Sequence, residues 1–138
     1  MSHPPGTDIL EPSLIWRDGS LIPFADATTH VLSQMSARGS QIFDVLLVVA
    51  NPDGPRALGL REHVARFVRS AETMCMEGLP SVPEIEQAVA TTVMANLSEA
   101  GIDPTATGPL IIKLIASWDN PSQTVVPASR IPTDRWVP

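Results

Sequence analysis

Arg66 and Arg69 stand three residues apart in Arg61-Glu-His-Val-Ala-Arg66-Phe-Val-Arg69-Ser-Ala, so on a helix they share one face. Glu62 lies four residues before Arg66, the favourable order for a helical ion pair, and a solvated charged face is the simplest reading of the group. Arg66, however, falls between Val64 and Phe67, at the margin of an apolar stripe. An arginine placed there either snorkels to water or holds an anion, which its planar, five-donor guanidinium suits. Lys113 is the other unusual cation, set inside Leu110-Ile-Ile-Lys-Leu-Ile-Ala-Ser-Trp. Burial without a partner would be costly, whereas a strand-face lysine would reach solvent.

Other chemistries lack their residues. His3, His30 and His63 have no ligand spacing and no cysteine or carboxylate in a zinc pattern, so no metal site is expected. There is no GxSxG nucleophile elbow, and neither a GxGxxG nor a P-loop glycine run to cradle a nucleotide. With nine Lys plus Arg, a formal charge of −6 and a pI near 4.8, the chain is also a poor match for nucleic acid, whose phosphates need clustered cations.

These residues need elements to hold them. A chain of 138 residues, 43% of them apolar, fits one domain with a genuine core, while 14 prolines imply stiff connectors. Cys75 is the sole cysteine; no disulfide can form within the chain, the reducing cytoplasm is the natural compartment, and its expected place is in the core. No apolar run reaches the roughly 18 residues of a membrane span, and the Pro-rich start has no signal-peptide pattern, so a soluble, cytoplasmic protein is expected. No internal repeat is present.

Residues 1–12 read as a flexible arm, 13–128 as the domain and 129–138 as a linker or tail. Two short extended runs flank Asp18-Gly19, a dipeptide suited to a tight hairpin. The segment from Asp26 to Gln41 is polar and small, without a clear period. A β-branched run from Ile42 to Ala50 follows, closed by Asn51-Pro-Asp-Gly-Pro, after which Arg56-Ala-Leu-Gly can return as its partner. Leu60, Val64, Phe67, Val68, Ala71, Met74 and Cys75 then fall at helical spacing, with Gly78 as the stop. Ser81-Val-Pro-Glu84 has capping-box form and opens a second helix ending at Gly101. Leu110 to Trp118 reads as a buried strand, and Thr124-Val-Val as a possible last one. Strands followed by helices indicate an α+β fold, an antiparallel sheet with two helices packed on one side.

Four stretches follow one another with nearly ungapped spacing: Ile15-Trp-Arg-Asp-Gly-Ser-Leu-Ile-Pro, Arg38-Gly-Ser-Gln-Ile-Phe-Asp44, Leu60-Arg-Glu-His-Val-Ala-Arg66-Phe-Val-Arg-Ser-Ala and Gly108-Pro-Leu-Ile-Ile. Together they resemble the small N-terminal domain of class IV (fold-type IV) pyridoxal phosphate aminotransferases, above all the branched-chain enzymes. The resemblance implies that Arg66 binds the cofactor phosphate, that Phe43 lines the substrate pocket, and that Glu62 and His63 are structural. It also exposes departures. Where the family meets the substrate carboxylate with arginine and tyrosines, this chain has Arg38, Leu47, Ala106 and Gly108. Either Arg38 takes over anion recognition or the substrate is not an ordinary α-amino acid.

The family places its catalytic lysine in the C-terminal domain, and Lys113, the only lysine here, aligns with no catalytic position. The resemblance therefore implies an N-terminal part that is inactive alone and binds pyridoxal phosphate only when a lysine-bearing C-terminal half is present, as a homodimer or with a partner subunit. The alternative is a cofactor-free binding or assembly module of the same fold, its pocket serving a different small molecule.

Overall fold

The computed structural model describes residues 11–99, 101 and 108–118. Strand β1 (Leu14–Arg17) turns directly into β2 (Ser20–Pro23). Asp18 and Gly19 form the two-residue turn at φ 49° and 97°, the left-handed pair that matches strand twist. Next comes a short helix the sequence did not announce, α1 (Gln34–Arg38). Its punctuation is local: the buried Ser33 side chain accepts from the Ser36 amide, and Gly39 closes the turn at φ 66°. One helical turn is too short to show periodicity, which is why a pattern search passes over it.

The main sheet has the order β4-β3-β5, all antiparallel, with β3 (Gln41–Val49) at its centre, β4 (Arg56–Ala57) on one side and β5 (Leu110–Ser117) on the other. Side chains alternate along β3: Asp44, Leu46 and Val48 are buried, whereas Phe43, Val45 and Leu47 are exposed. Residues Leu110, Ile112, Leu114 and Ala116 of β5 point to the same covered side. The expectation of a buried β5 is thus corrected. Helices cover one face only among the described residues, so Ile111, Lys113 and Ile115 are exposed.

Helices α2 (Leu60–Thr73) and α3 (Val82–Glu99) supply that cover. Val89 and Val93 of α3 pack on Val48, and Val64 and Phe67 of α2 pack with Ile85, while Leu114 touches both groups and joins them into one core. Glu84 fulfils its half of the capping box, its carboxylate accepting from the Ser81 amide at 2.7 Å and from the hydroxyl at 2.6 Å. Helix α2 stops short of the expected Gly78. The Cys75 amide donates to Glu72 and the Met76 amide to Ala71, a Schellman pattern with Cys75 itself at φ 55°. Cys75 is exposed, not part of the core.

A buried amide ties the hairpin to this body. Asn96 of α3 accepts from the Ser13 and Leu14 amides through Oδ1, at 2.8 and 3.0 Å, and donates through Nδ2 to the carbonyls of Leu14 and Thr92. Every hydrogen-bonding position of that side chain is used. The architecture is the expected α+β fold with both helices on one side of an antiparallel sheet. Residues 1–10 of the expected arm, the Thr124-Val-Val segment and the 129–138 tail lie outside the described residues.

Candidate functional site

One charged cluster joins the sheet to α2. Asp44 is the only buried carboxylate among the described residues; it projects from β3 toward the helices, and charge there requires partners. Arg66 supplies them as a fork: Nε donates to Oδ2 at 2.7 Å and Nη2 to Oδ1 at 2.8 Å. His63, one turn earlier on α2, brings Nδ1 to 2.7 Å from Oδ1. An ionised carboxylate only accepts, so the ring proton belongs on Nδ1 and the 3.0 Å approach of Arg66 Nη2 to that nitrogen is a contact between donors. Hydrogen bonding from Arg66 first, then from His63, holds the Asp44 carboxyl well below the usual carboxylate range against the opposing effect of burial.

This arrangement corrects the expected Glu62–Arg66 ion pair. Arg66 reaches across to the sheet because Asp44 is buried and its charge cannot be left to water, whereas Glu62 on the helix surface is already hydrated. The Arg66 side chain remains 60% exposed even so, and its Nη1 makes no hydrogen bond among the described residues. One edge is anchored; the other is presented. Such a group can take an oxygen of an anion without giving up its structural bonds.

The predicted pocket residues fall in different places. Phe43 and Leu47 share the open face of β3 with Val45 between them, beside Ile111 and Ile115 of β5. Lys113 lies on that face too, its Nζ 4.9 Å from the Phe43 ring centroid. Arg38 is exposed at the end of α1, and Gly108, at φ 83°, stands just before β5. Ala106 lies outside the described residues. Arg66 belongs to the covered side, attached to it through Asp44, so the structure brings Phe43 and Leu47 together but separates them from Arg66 by the thickness of β3. Sequence reasoning missed Asp44, although a lone acid within an apolar strand run was a usable signal. Among the described residues no His, Cys, Asp and Glu cluster could hold a metal ion, and no helix is long and apolar enough to cross a membrane.

Comparison with known proteins points one way. A branched-chain-amino-acid aminotransferase of Pseudomonas aeruginosa is 31% identical over 117 residues, covering 76% of this chain. The solved branched-chain aminotransferase of Thermoproteus uzoniensis, with norvaline, superposes on 87% of this chain with a TM-score of 0.70 and 26% identity. This chain is a relative of the class IV, branched-chain-type aminotransferases. Its fold is that of their small N-terminal domain. A third branched-chain aminotransferase, from T.th., is 28% identical and has been solved with pyridoxamine 5'-phosphate (TM-score 0.66, 79% of this chain and 33% of that one). The same enzyme has been solved with 4-methylvaleric acid (TM-score 0.62, 80% and 42%). The aminotransferase-like chain spans 38% of the length of the Pseudomonas relative and 37% of the Thermoproteus structure. No protein-family profile matches it.

Proposed function

We propose that this chain is the N-terminal part of a class IV, branched-chain-like aminotransferase, contributing the arginine for the cofactor phosphate and one wall of the substrate pocket. The observation that carries the reading is the half-anchored Arg66, whose Nε and Nη2 are held by Asp44 while Nη1 makes no hydrogen bond among the described residues and the side chain stays largely exposed. A phosphate oxygen fits that free edge, and the anchoring means that little side-chain freedom is lost on binding. Pyridoxal phosphate, when bound, supplies the electron sink for moving an amino group between carbon skeletons. This chain's own part is to bind and orient. Arg66 holds the phosphate, Asp44 holds Arg66, and Phe43 and Leu47 form an apolar wall that keeps water from one side of the pocket.

The group that would exchange protons with the substrate is a lysine brought by the remaining portion of such an enzyme, either further along a longer polypeptide or on a partner subunit. Lys113 is the only lysine of this sequence and sits on the sheet among apolar side chains. The chain by itself is therefore inactive as a transaminase. With a lysine-bearing C-terminal half supplied, binding of pyridoxal phosphate, followed by its ³¹P resonance, tests the reading with Arg66→Lys, which retains a cation for Asp44 but not a second edge. Affinity should fall about tenfold, one charge-assisted hydrogen bond's worth. Equal affinity of the two proteins would remove the phosphate role. Treatment with borohydride should leave no pyridoxyl group on Lys113, and a stable adduct there would overturn the claim that the lysine comes from elsewhere.

A second reading is favoured by Leu47 and Gly108, which stand where the branched-chain enzymes carry polar carboxylate-binding groups. Under it the same fold is a cofactor-free binding module. Absence of any phosphate response at Arg66 with the C-terminal half supplied, in a chain that folds normally, would select it.

A further inference from the structure

His63 has one ring nitrogen committed and one open. Its Nδ1 lies 2.7 Å from Asp44 Oδ1 and carries the proton of that hydrogen bond, which leaves the lone pair on Nε2. The Cδ2–Nε2 edge of the ring lies over Gly59: a Cβ there would stand 3.4 Å from Cδ2 and 3.8 Å from Nε2, so a side chain at that position would pack against the edge. With glycine in place the His63 side chain keeps 27% of its surface exposed, and solvent reaches the ring. Histidine is the side chain whose charge ordinarily changes between about pH 5 and pH 8.

The charges that act on the ring come from several elements. Asp44 of β3 favours a charged ring, whereas Arg66, whose Nη2 stands 3.0 Å from Nδ1, opposes one. The N-terminal end of α2, where the His63 amide donates to Gly59, opposes it more weakly. Glu62 favours it from the exposed surface, its Oε2 reaching to 3.8 Å from the same Cβ position over Gly59. Arg61 is engaged by Glu86 of α3 through hydrogen bonds of 3.1 and 3.3 Å. The side chains of α3 and β5 that pack on α2 include Ile85, Leu114 and Ala116, all uncharged, and Arg56 of β4, in register with Val49, belongs to the opposite face of the sheet. The opposing charge in contact with the ring is thus Arg66, and a dianion on the free edge of that guanidinium would offset it.

We infer that His63 is a proton-dependent second cation of the anion site at Arg66: neutral, it only positions Asp44, and charged at Nε2 it adds a positive charge to a group in which Asp44 and Arg66 otherwise cancel. The inference rests on the reading that Arg66 holds the cofactor phosphate, and it adds the regulation of that site by pH. Charging takes one proton from solvent and breaks no hydrogen bond to Asp44, because the Nδ1 proton stays where it is. The coupling is reciprocal: a charged ring tightens phosphate binding, and bound phosphate favours the charged ring. The gain in affinity is present at low pH and is lost as pH rises through the range in which histidine loses its charge.

The test uses the full chain with the lysine-bearing C-terminal half supplied, and follows pyridoxal phosphate by its ³¹P resonance from about pH 5.5 to about pH 8 in the native protein and in His63→Gln. Glutamine keeps an amide donor for Asp44 but carries no charge. The phosphate's own titration and every group of the other half act on both proteins alike, so the ratio of the two affinities isolates the ring. That ratio, native over variant, should be about three- to tenfold greater at the acid end than at the alkaline end, the size of one added charge a few ångströms away at a partly exposed site. A His63 with only a structural part would lower affinity by the same factor at every pH. A flat ratio, or one that rises with pH, would overturn the inference. The ring ¹⁵N resonances of His63 in the native protein give a measurement that does not need the variant to fold. At about pH 7, pyridoxal phosphate should move Nε2 toward its protonated position with Nδ1 unchanged, and an unmoved Nε2 would also overturn the inference. Arg66→Lys separates the two readings. An affinity indifferent to that change removes the phosphate role and this inference with it, whereas an affinity that falls, beside a flat His63 ratio, removes the inference alone.

Discussion

Asp44 on β3 and Arg66 on α2 are joined by two parallel hydrogen bonds of 2.7 and 2.8 Å, although 22 positions separate them in the chain. The pair fixes how α2 lies on the sheet. It is asymmetric, because the Asp44 side chain is 4% exposed and the Arg66 side chain 60%, so removing either partner has a different cost. Arg66→Ala leaves a buried carboxylate with His63 as its main side-chain partner and should cost about 1–3 kcal/mol. Urea unfolding measures it. A double-mutant cycle with Asp44→Asn should return a coupling of about 1–2 kcal/mol, and additive effects would show that the pair is not a unit.

Acid should expose the same pair. The folded-state pKa of Asp44 is depressed below its unfolded value of about 3.9, so its contribution is fully present above that value and is lost as pH falls below it. Unfolding free energy should drop between about pH 4 and pH 2 more steeply in the native chain than in Asp44→Asn. Parallel acid limbs for the two proteins would contradict the assignment.

Asn96 should matter more than a surface amide. Its four hydrogen bonds are long-range in three cases, and Asn96→Leu would leave the Ser13 and Leu14 groups without partners beside the core. A loss of about 2–3 kcal/mol is expected. Hydrogen exchange at the Ser13 and Leu14 amides should accelerate before the rest of the fold opens; uniform acceleration would mean the hairpin is not separately tethered.

Cys75 offers a stabilising change. At φ 55° it occupies the position a Schellman cap normally gives to glycine, and its side chain is exposed. Cys75→Gly should raise stability by about 0.5–1 kcal/mol, and Cys75→Ala should not. Thermal unfolding of the three proteins settles the comparison.

Periodic segments were legible in the chain itself. The hairpin at Asp18-Gly19, both long helices and the strands 41–49 and 110–117 are where period and turn chemistry put them. Helix α1 was not, because five residues hold too little pattern and its cap, Ser33, is recognisable only once buried. The end of α2 shifted because a left-handed cysteine stopped the helix before the glycine that pattern rules favour.

The site divides along the same line. Residue order and type were sufficient to place Arg66 on a helix and Phe43 and Leu47 on one strand, because those properties depend on neighbours within a turn or two. Tertiary structure alone decided that Arg66 turns away from Glu62 to Asp44, that Asn96 is buried under the hairpin, and that Lys113 stands with Phe43 on the uncovered side. Each of those outcomes depends on which groups lose water when distant segments meet, and burial makes the choice: a charge removed from solvent captures the nearest opposite charge, while one left in solvent does not.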